Sequence, residues 1–159
     1  KVQEASPRQI FLTASSLLIK AFIAKSMESK RSFQSVKDVM TKDIIFIDGM
    51  ATAKEAVDIM RREKVEALIV NKRHPQDAYG IVLVHDLIKG VIIPDKTSEE
   101  VNVFEIMTKP AISVPADMDV RYVANLLMKV GLRMAPVEED CKYIGMVSLS
   151  DLILENLLF

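Results

Sequence analysis

The sequence holds one cysteine, two histidines, five glycines and no tryptophan in 159 residues, and each shortage removes a class of function. A single Cys141 cannot close an intrachain disulfide, so a secreted disulfide scaffold is excluded and a reducing, cytoplasmic setting is expected. A zinc site needs three or four Cys, His or carboxylate ligands, and a nucleophile needs a base within reach. With only Cys141, His74 and His85, the expectation is no metal site and no catalytic residues. The glycines are scattered at Gly49, Gly80, Gly90, Gly131 and Gly145, so no Gly-rich phosphate loop is present. The chain is therefore expected not to be an enzyme and to require no cofactor. Charge of one sign is also lacking: Lys+Arg 21 stand against Asp+Glu 22, for a formal net charge of −1. Without a global positive field, nucleic acid is not an expected partner.

What is present is apolar. Half of the residues (50%) are hydrophobic and 27% are charged, enough to fill a core and far from a disordered composition. The first part, 1–35, reads as a helical arm. Ser6-Pro7 is a helix start, and Ile10, Phe11, Ala14, Leu17, Leu18, Ala21 and Phe22 recur at spacings of three and four, giving an amphipathic helix to about Met27. Thr13, Ser15, Ser16 and Lys20 interrupt it well short of the ~20 apolar residues of a transmembrane segment. Lys20 and Lys25 likewise break a signal-peptide core. The arm is expected to pack on the rest of the chain or on a second subunit, with a membrane-surface anchor as the alternative. A first residue of Lys1 is what a piece of a longer protein would show, and the arm would then link to a fused or separate effector domain.

A repeat organises the remainder. Val36-Lys37-Asp38-Val39-Met40-Thr41-Lys42 is answered 67 residues later by Val103-Phe104-Glu105-Ile106-Met107-Thr108-Lys109. Near the end of each unit, Gly80 to Ile88 matches Gly145 to Ile153 at an offset of 65. The loop between is two residues shorter in the second unit, a cheap change in a surface segment. Each unit reads as a short helix capped by Ser35 or Asn102, an extended stretch at Ile44 to Ile47 or Ile112 to Val114, and then a longer helix. In the first unit Ala53, Ala56, Val57, Met60 and Lys64 mark one helix face; in the second Asp117 caps Val120, Val123 and Leu127, and Gly131 stops them. Two strands follow, Ala67 to Val70 with Ile81 to Val84 and Met134 to Val137 with Ile144 to Val147, and a last helix begins at Asp86 or Asp151. The fold class is α+β, with each unit of about 57 residues too small for a comfortable core of its own. The boundaries are 36–93 and 103–159 with a linker at 94–102, and the two units are expected to bury their sheets against each other.

The order of elements, the Met-Thr-Lys openings at Met40 and Met107, and the Gly-apolar-Val-Ser-x-x-Asp ending at Gly145 to Asp151 together resemble a tandem pair of CBS domains, the Bateman module. The resemblance implies two β-α-β-β-α repeats packed with pseudo-twofold symmetry. It also implies a regulatory module that binds an adenosine-containing ligand (AMP, ADP, ATP, S-adenosylmethionine or NAD, with AMP or ATP foremost) between the repeats and pairs into a homodimer.

The cleft motif has a chemistry of its own. Gly145 permits close backbone approach, Ser148 presents a hydroxyl, and Asp151 offers a carboxylate able to accept both hydroxyls of a ribose. The same letters also make a capping box, Ser148 with Asp151, that needs no ligand. The first unit departs from this pattern: Leu83 replaces the serine, removing hydroxyl and cap, while Asp86 remains and His85 stands at the mouth of the equivalent cleft or faces solvent. By the resemblance, adenine would lie on Lys109-Pro110-Ala111-Ile112 and Met134-Ala135-Pro136-Val137, with Lys109 and Arg133 neutralising phosphate. Alternating apolar residues there are also what any buried strand needs. Two function classes remain: a ligand-sensing regulatory module, and a structural or dimerisation module with vestigial clefts.

Overall fold

The computed structural model describes residues 16–21 and 33–155. Residues 16–21 are helical, and the rest of the amphipathic helix expected to Met27 lies outside the described residues, as does the end of the second unit from 156 onward.

The remainder forms two sheets of three strands each. The first contains β1 (Phe46–Ile47), β2 (Ala67–Val70) and β3 (Gly80–Leu83); the second contains β4 (Val114–Pro115), β5 (Met134–Glu139) and β6 (Lys142–Ser148). In each, the first strand pairs parallel with the second and the second antiparallel with the third. A helix crosses from first to second strand in both halves, α1 (Ala53–Glu63) and its counterpart Val120–Val130. A parallel pair needs such a crossover, and an eleven-residue helix supplies it. Shorter helices complete the repeats: α2 (Val84–Leu87) running into a π turn at Ile88–Ile92, α3 (Val103–Ile106) and, after the long helix α4 (Val120–Val130), α5 (Asp151–Leu154).

The long helices begin at strong caps. Thr52 Oγ1 accepts the Glu55 N–H while Glu55 Oε2 accepts the Thr52 N–H at 2.7 Å, a reciprocal box. At α4 the cap is Asp119, whose Oδ1 accepts the Arg121 N–H at 2.8 Å. Asp117, the capping residue expected from sequence, is exposed two residues upstream, too far from the first turn for its carboxylate to reach the orphan donors. Lys64 does not continue the face of α1 either; it ends the helix in a left-handed conformation (φ 55), the place Gly131 (φ 70) takes after α4.

Strand β2 is buried at all four positions, and its period of two explains why. Leu68 and Val70 face a core with Ala53, Ala56 and Met60 of α1. Ala67 and Ile69 face the opposite way, into a cluster with Ile81 and with Met146 of the other sheet. The sheets are thus joined face to face, as expected for half-cores that complete each other.

The openings of the two repeats are exchanged. The 3-10 turn Val36–Asp38 docks at the start of α4, with the Val36 N–H bonded to Met118 O at 2.8 Å and the Val120 N–H to Gln34 O at 2.9 Å. In mirror fashion α3 docks at the start of α1, through Val103 N–H to Ala51 O and Ala53 N–H to Val101 O, both 2.8 Å. Each opening motif therefore serves the other repeat's helix.

Sequence and structure also differ at hairpin length. β5 and β6 run to six and seven residues, beyond the four-residue strands expected, and the turn between them is Asp140-Cys141. Both turn residues have positive φ (51 and 60), the two-residue geometry that matches strand twist and lets the ladder continue. The last helix of the first repeat begins at Val84, ahead of the expected Asp86.

Candidate functional site

The end of β6 delivers Ser148 and the start of α5 delivers Asp151. Asp151 Oδ2 accepts the Ser148 N–H at 2.7 Å, and Ser148 Oγ accepts the Asp151 N–H at 3.0 Å. The capping box is formed in full. It uses one carboxylate oxygen and one serine lone pair, leaving Oδ1 of Asp151 and the hydroxyl proton of Ser148 without a partner among the described residues. Cap and ligand site are therefore compatible uses of the same two residues. In the first repeat Leu83 has no oxygen to offer, yet half of the cap survives, because Asp86 Oδ2 accepts the Leu83 N–H at 2.8 Å. The expected loss of the whole cap does not occur: the backbone half depends on the aspartate alone.

The exchange of openings decides which residues share a cleft. Asp151, Ser148 and Met146 line a cavity of about 320 Å³ together with Thr41, Asp43 and the Lys64–Ala67 segment of the first repeat. Asp86, Leu83 and His85 line one of about 310 Å³ with Thr108, Ile112 and the Gly131–Met134 segment of the second. A third cavity, about 390 Å³, bridges the two and is lined by Glu66, His85, Arg133, Met134 and Ser148 among others. Each cleft thus combines the closing aspartate of one repeat with the opening and mid-strand segments of the other.

This arrangement redistributes the residues expected from sequence. Met134 lines both clefts, whereas Ile112 and Arg133 stand with Asp86 and not with Asp151. Ala135 and Pro136 are fully buried, and Ala111 packs on the cluster between the sheets. Gly145 supplies close approach, but to the protein: a Cβ there would lie 2.5 Å from Thr41 O and 2.5 Å from Met40 Sδ. It allows the strand edge to meet Thr41, whose N–H bonds Met146 O at 2.8 Å and whose carbonyl accepts the Met146 N–H at 2.8 Å. Gly80 meets Met107 and Thr108 in the same way. His85 is exposed and lines the Asp86 cleft.

Lys109 belongs elsewhere. Its Nζ donates to Asp77 Oδ2 at 2.6 Å, and Arg73 Nε donates to the same oxygen at 3.2 Å. The Lys109 ammonium, then the Arg73 backbone and side chain, hold the Asp77 carboxyl well below the usual carboxylate range. Lys109 also lines a cavity of about 640 Å³ with Met50, Lys72, Arg73 and Phe104, and Lys72 lies over the Tyr79 ring at 4.7 Å. Sequence reasoning missed Thr41, Asp43 and Lys64 to Ala67 as cleft residues. The signal available was the repeat itself, since Thr41 and Glu66 are the first-repeat equivalents of Thr108 and Arg133.

The CBS domain family model matches residues 36–92 and 103–157, which together make up the exchanged repeats described above. The chain belongs to the CBS domain family. Among relatives of this CBS pair, an uncharacterised protein of Methanopyrus kandleri is 32% identical over 121 residues, 75% of this chain and 61% of that protein. A mitochondrial CBS domain-containing protein of Arabidopsis thaliana is 30% identical over 140 residues, 82% of this chain and 68% of that one. Among solved structures, the hexameric CBS-CP12 protein from bloom-forming cyanobacteria aligns with a TM-score of 0.74 at 35% identity, covering 77% of this chain and 70% of its own. A CBS domain pair solved in complex with 5'-methylthioadenosine and S-adenosyl-L-methionine aligns with a TM-score of 0.64 at 26% identity, covering 75% of this chain and 96% of its own. No helix among the described residues of the CBS pair is long and apolar enough to cross a membrane.

Proposed function

We propose that the CBS pair is a non-catalytic regulatory module that binds an adenosine-containing ligand in the cleft closed by Asp151. The observation that carries this reading is the Asp151 carboxylate oxygen left over by the cap, at a cavity whose other wall comes from the opposite repeat. A ribose diol donates to Oδ1 and accepts from the Ser148 hydroxyl, while Val65, Ala67 and Met146 offer apolar contact to a flat base. A ligand touching both repeats favours one relative placement of them, and that bias is what an effector domain or partner reads. The liganded CBS pair among the structural neighbours supports the ligand class. In this reading the module works in the cytoplasm as a homodimer. The structural or dimerisation reading draws on one feature, the Leu83 that takes the place of Ser148 in the other cleft.

Thermal unfolding tests the proposal with adenosine, AMP, ATP, S-adenosylmethionine, NAD and a guanosine control. A seated ligand at 100 times its Kd stabilises by about 2.7 kcal/mol, and Asp151→Ala removes the shift for ligands in that cleft. If no adenosine compound shifts the transition, or every shift survives Asp151→Ala, the assignment fails.

A further inference from the structure

The two clefts differ most in charge. The Asp151 cleft is lined by three carboxylates, Asp43, Glu66 and Asp151, against the single ammonium of Lys64. The Asp86 cleft is lined by the Arg133 guanidinium and the His85 imidazole against one carboxylate, Asp86. The contrast is written into one pair of equivalent positions, because Glu66 and Arg133 precede the second strands of their sheets at the repeat offset of 67. Both are exposed, each carries a mirrored backbone bond (Val84 N–H to Glu66 O, Leu149 N–H to Arg133 O), and neither belongs to an ion pair among the described residues. Glu66 and Arg133 share the bridging cavity, but no ion pair among the described residues ties either one down, so each side chain is available to whatever enters its own cleft.

We infer that the clefts sort adenosine ligands by charge: the Asp151 cleft takes a ligand without phosphate, a neutral thioether or a cationic sulfonium of adenosine, and the Asp86 cleft takes a phosphorylated one. This rests on the adenosine reading above and adds the ligand class for each cleft. A phosphate brought beside Asp43, Glu66 and Asp151 meets like charge at a range shorter than the screening length of physiological salt. A sulfonium there meets opposite charge. In the Asp86 cleft Arg133 offers a planar fork of donors that suits phosphate oxygens. The half-cap at Asp86 uses only Oδ2, so a carboxylate oxygen for ribose is present in this cleft as well.

Two-dimensional amide NMR titration of the whole chain with 5'-methylthioadenosine, S-adenosylmethionine, AMP and pyrophosphate tests the sorting. The first two are expected to perturb Thr41, Ser148 and Asp151, and AMP to perturb Asp86, Ile112 and Arg133. Glu66→Arg should raise the affinity of AMP for the Asp151 cleft by about tenfold or more, and Arg133→Glu should weaken AMP at the Asp86 cleft by a similar factor, as one full charge reversal at close range gives. AMP and methylthioadenosine converging on one cleft, or an AMP preference unmoved by Glu66→Arg, overturns the sorting while leaving the adenosine reading intact. If no adenosine compound binds, that reading falls and pyrophosphate alone decides the charge claim. Shifts confined to the Arg133 side support it, and shifts at Thr41 and Ser148, or none anywhere, overturn it.

Discussion

At the two seams where the repeats meet, the residues match: Met40 and Thr41 lie on Gly145 and Met146, and Met107 and Thr108 lie on Gly80 and Ile81, each seam closed by a reciprocal pair of backbone bonds of 2.8 or 2.9 Å. At the two clefts beside those seams the residues part company, with Ser148 against Leu83, Lys64 against Gly131 and Glu66 against Arg133. A seam is a contact between copies, so a change in one opening motif must be met by the facing strand edge of the other repeat. The hydrogen bonds of Ser148, Leu83, Glu66 and Arg133 stay within their own repeats, so a change at these cleft positions need not be answered by the other copy. Likeness at the seams therefore reports how the halves are held together, and unlikeness at the clefts leaves the two clefts chemically distinct.

The seams are alike in pattern but not in tightness, which gives the largest expected effect. A Cβ at Gly145 would meet a backbone oxygen, Thr41 O, at 2.5 Å, whereas at Gly80 the nearest atom is the flexible Met107 Sδ at 2.7 Å and Thr108 O is at 3.4 Å. Gly145→Ala should cost about 3 kcal/mol and Gly80→Ala about 1 kcal/mol, as overpacking does where backbone, rather than a side-chain end, has to yield. Urea unfolding of both variants measures the difference. Equal losses would show that the two seams carry equal strain and break the comparison.

How much of this was legible follows from the range of each signal. The helices and strands were readable, because α1 is written in a period of 3.6, β2 is a short continuous run of apolar residues of strand length, and the repeat confirms each by its copy. The cap of α4 was missed in favour of Asp117, since two aspartates stand within three residues and only backbone position tells which reaches the Arg121 N–H. The pairing within clefts was illegible for a different reason. Lys109 to Ile112 lies just ahead of its own strand, and nothing in a linear pattern says that an opening motif docks on the other repeat. Asp151 and Ser148 could be named because their bonds are local, three residues apart, whereas Thr41, 105 residues from Met146, is brought to them only by the seam.

The caps of the two crossover helices sharpen the comparison at a smaller scale. Asp119 is a buried cap that also binds the Arg121 guanidinium through both oxygens, at 2.9 and 3.0 Å, while Thr52 is a neutral cap closed by Glu55. Asp119→Ala is expected to destabilise by about 2 kcal/mol and Thr52→Ala by about 1 kcal/mol, the upper and middle of the range for lost caps. Chemical denaturation of the pair checks this, and a larger loss at Thr52 would reverse the ranking of the two helices.

The smallest expected effect concerns the connections between second and third strands. In the first repeat Asp77 is tied to Lys109 and Arg73, and in the second the corresponding connection is the bare turn Asp140-Cys141. Lys109 above all holds the folded Asp77 carboxyl below its unfolded value, so its stabilisation is complete above the ordinary carboxylate pKa of about 4 and is lost progressively as the pH falls below that value toward the depressed one. Asp77→Asn should therefore lower Tm at pH 7, and the gap to the unaltered protein should narrow between about pH 4 and pH 2. Melting curves at pH 7, 4 and 2 decide the matter: a gap at Asp77 that stays constant through acid would mean that the loop is held by its backbone and not by the ion pair.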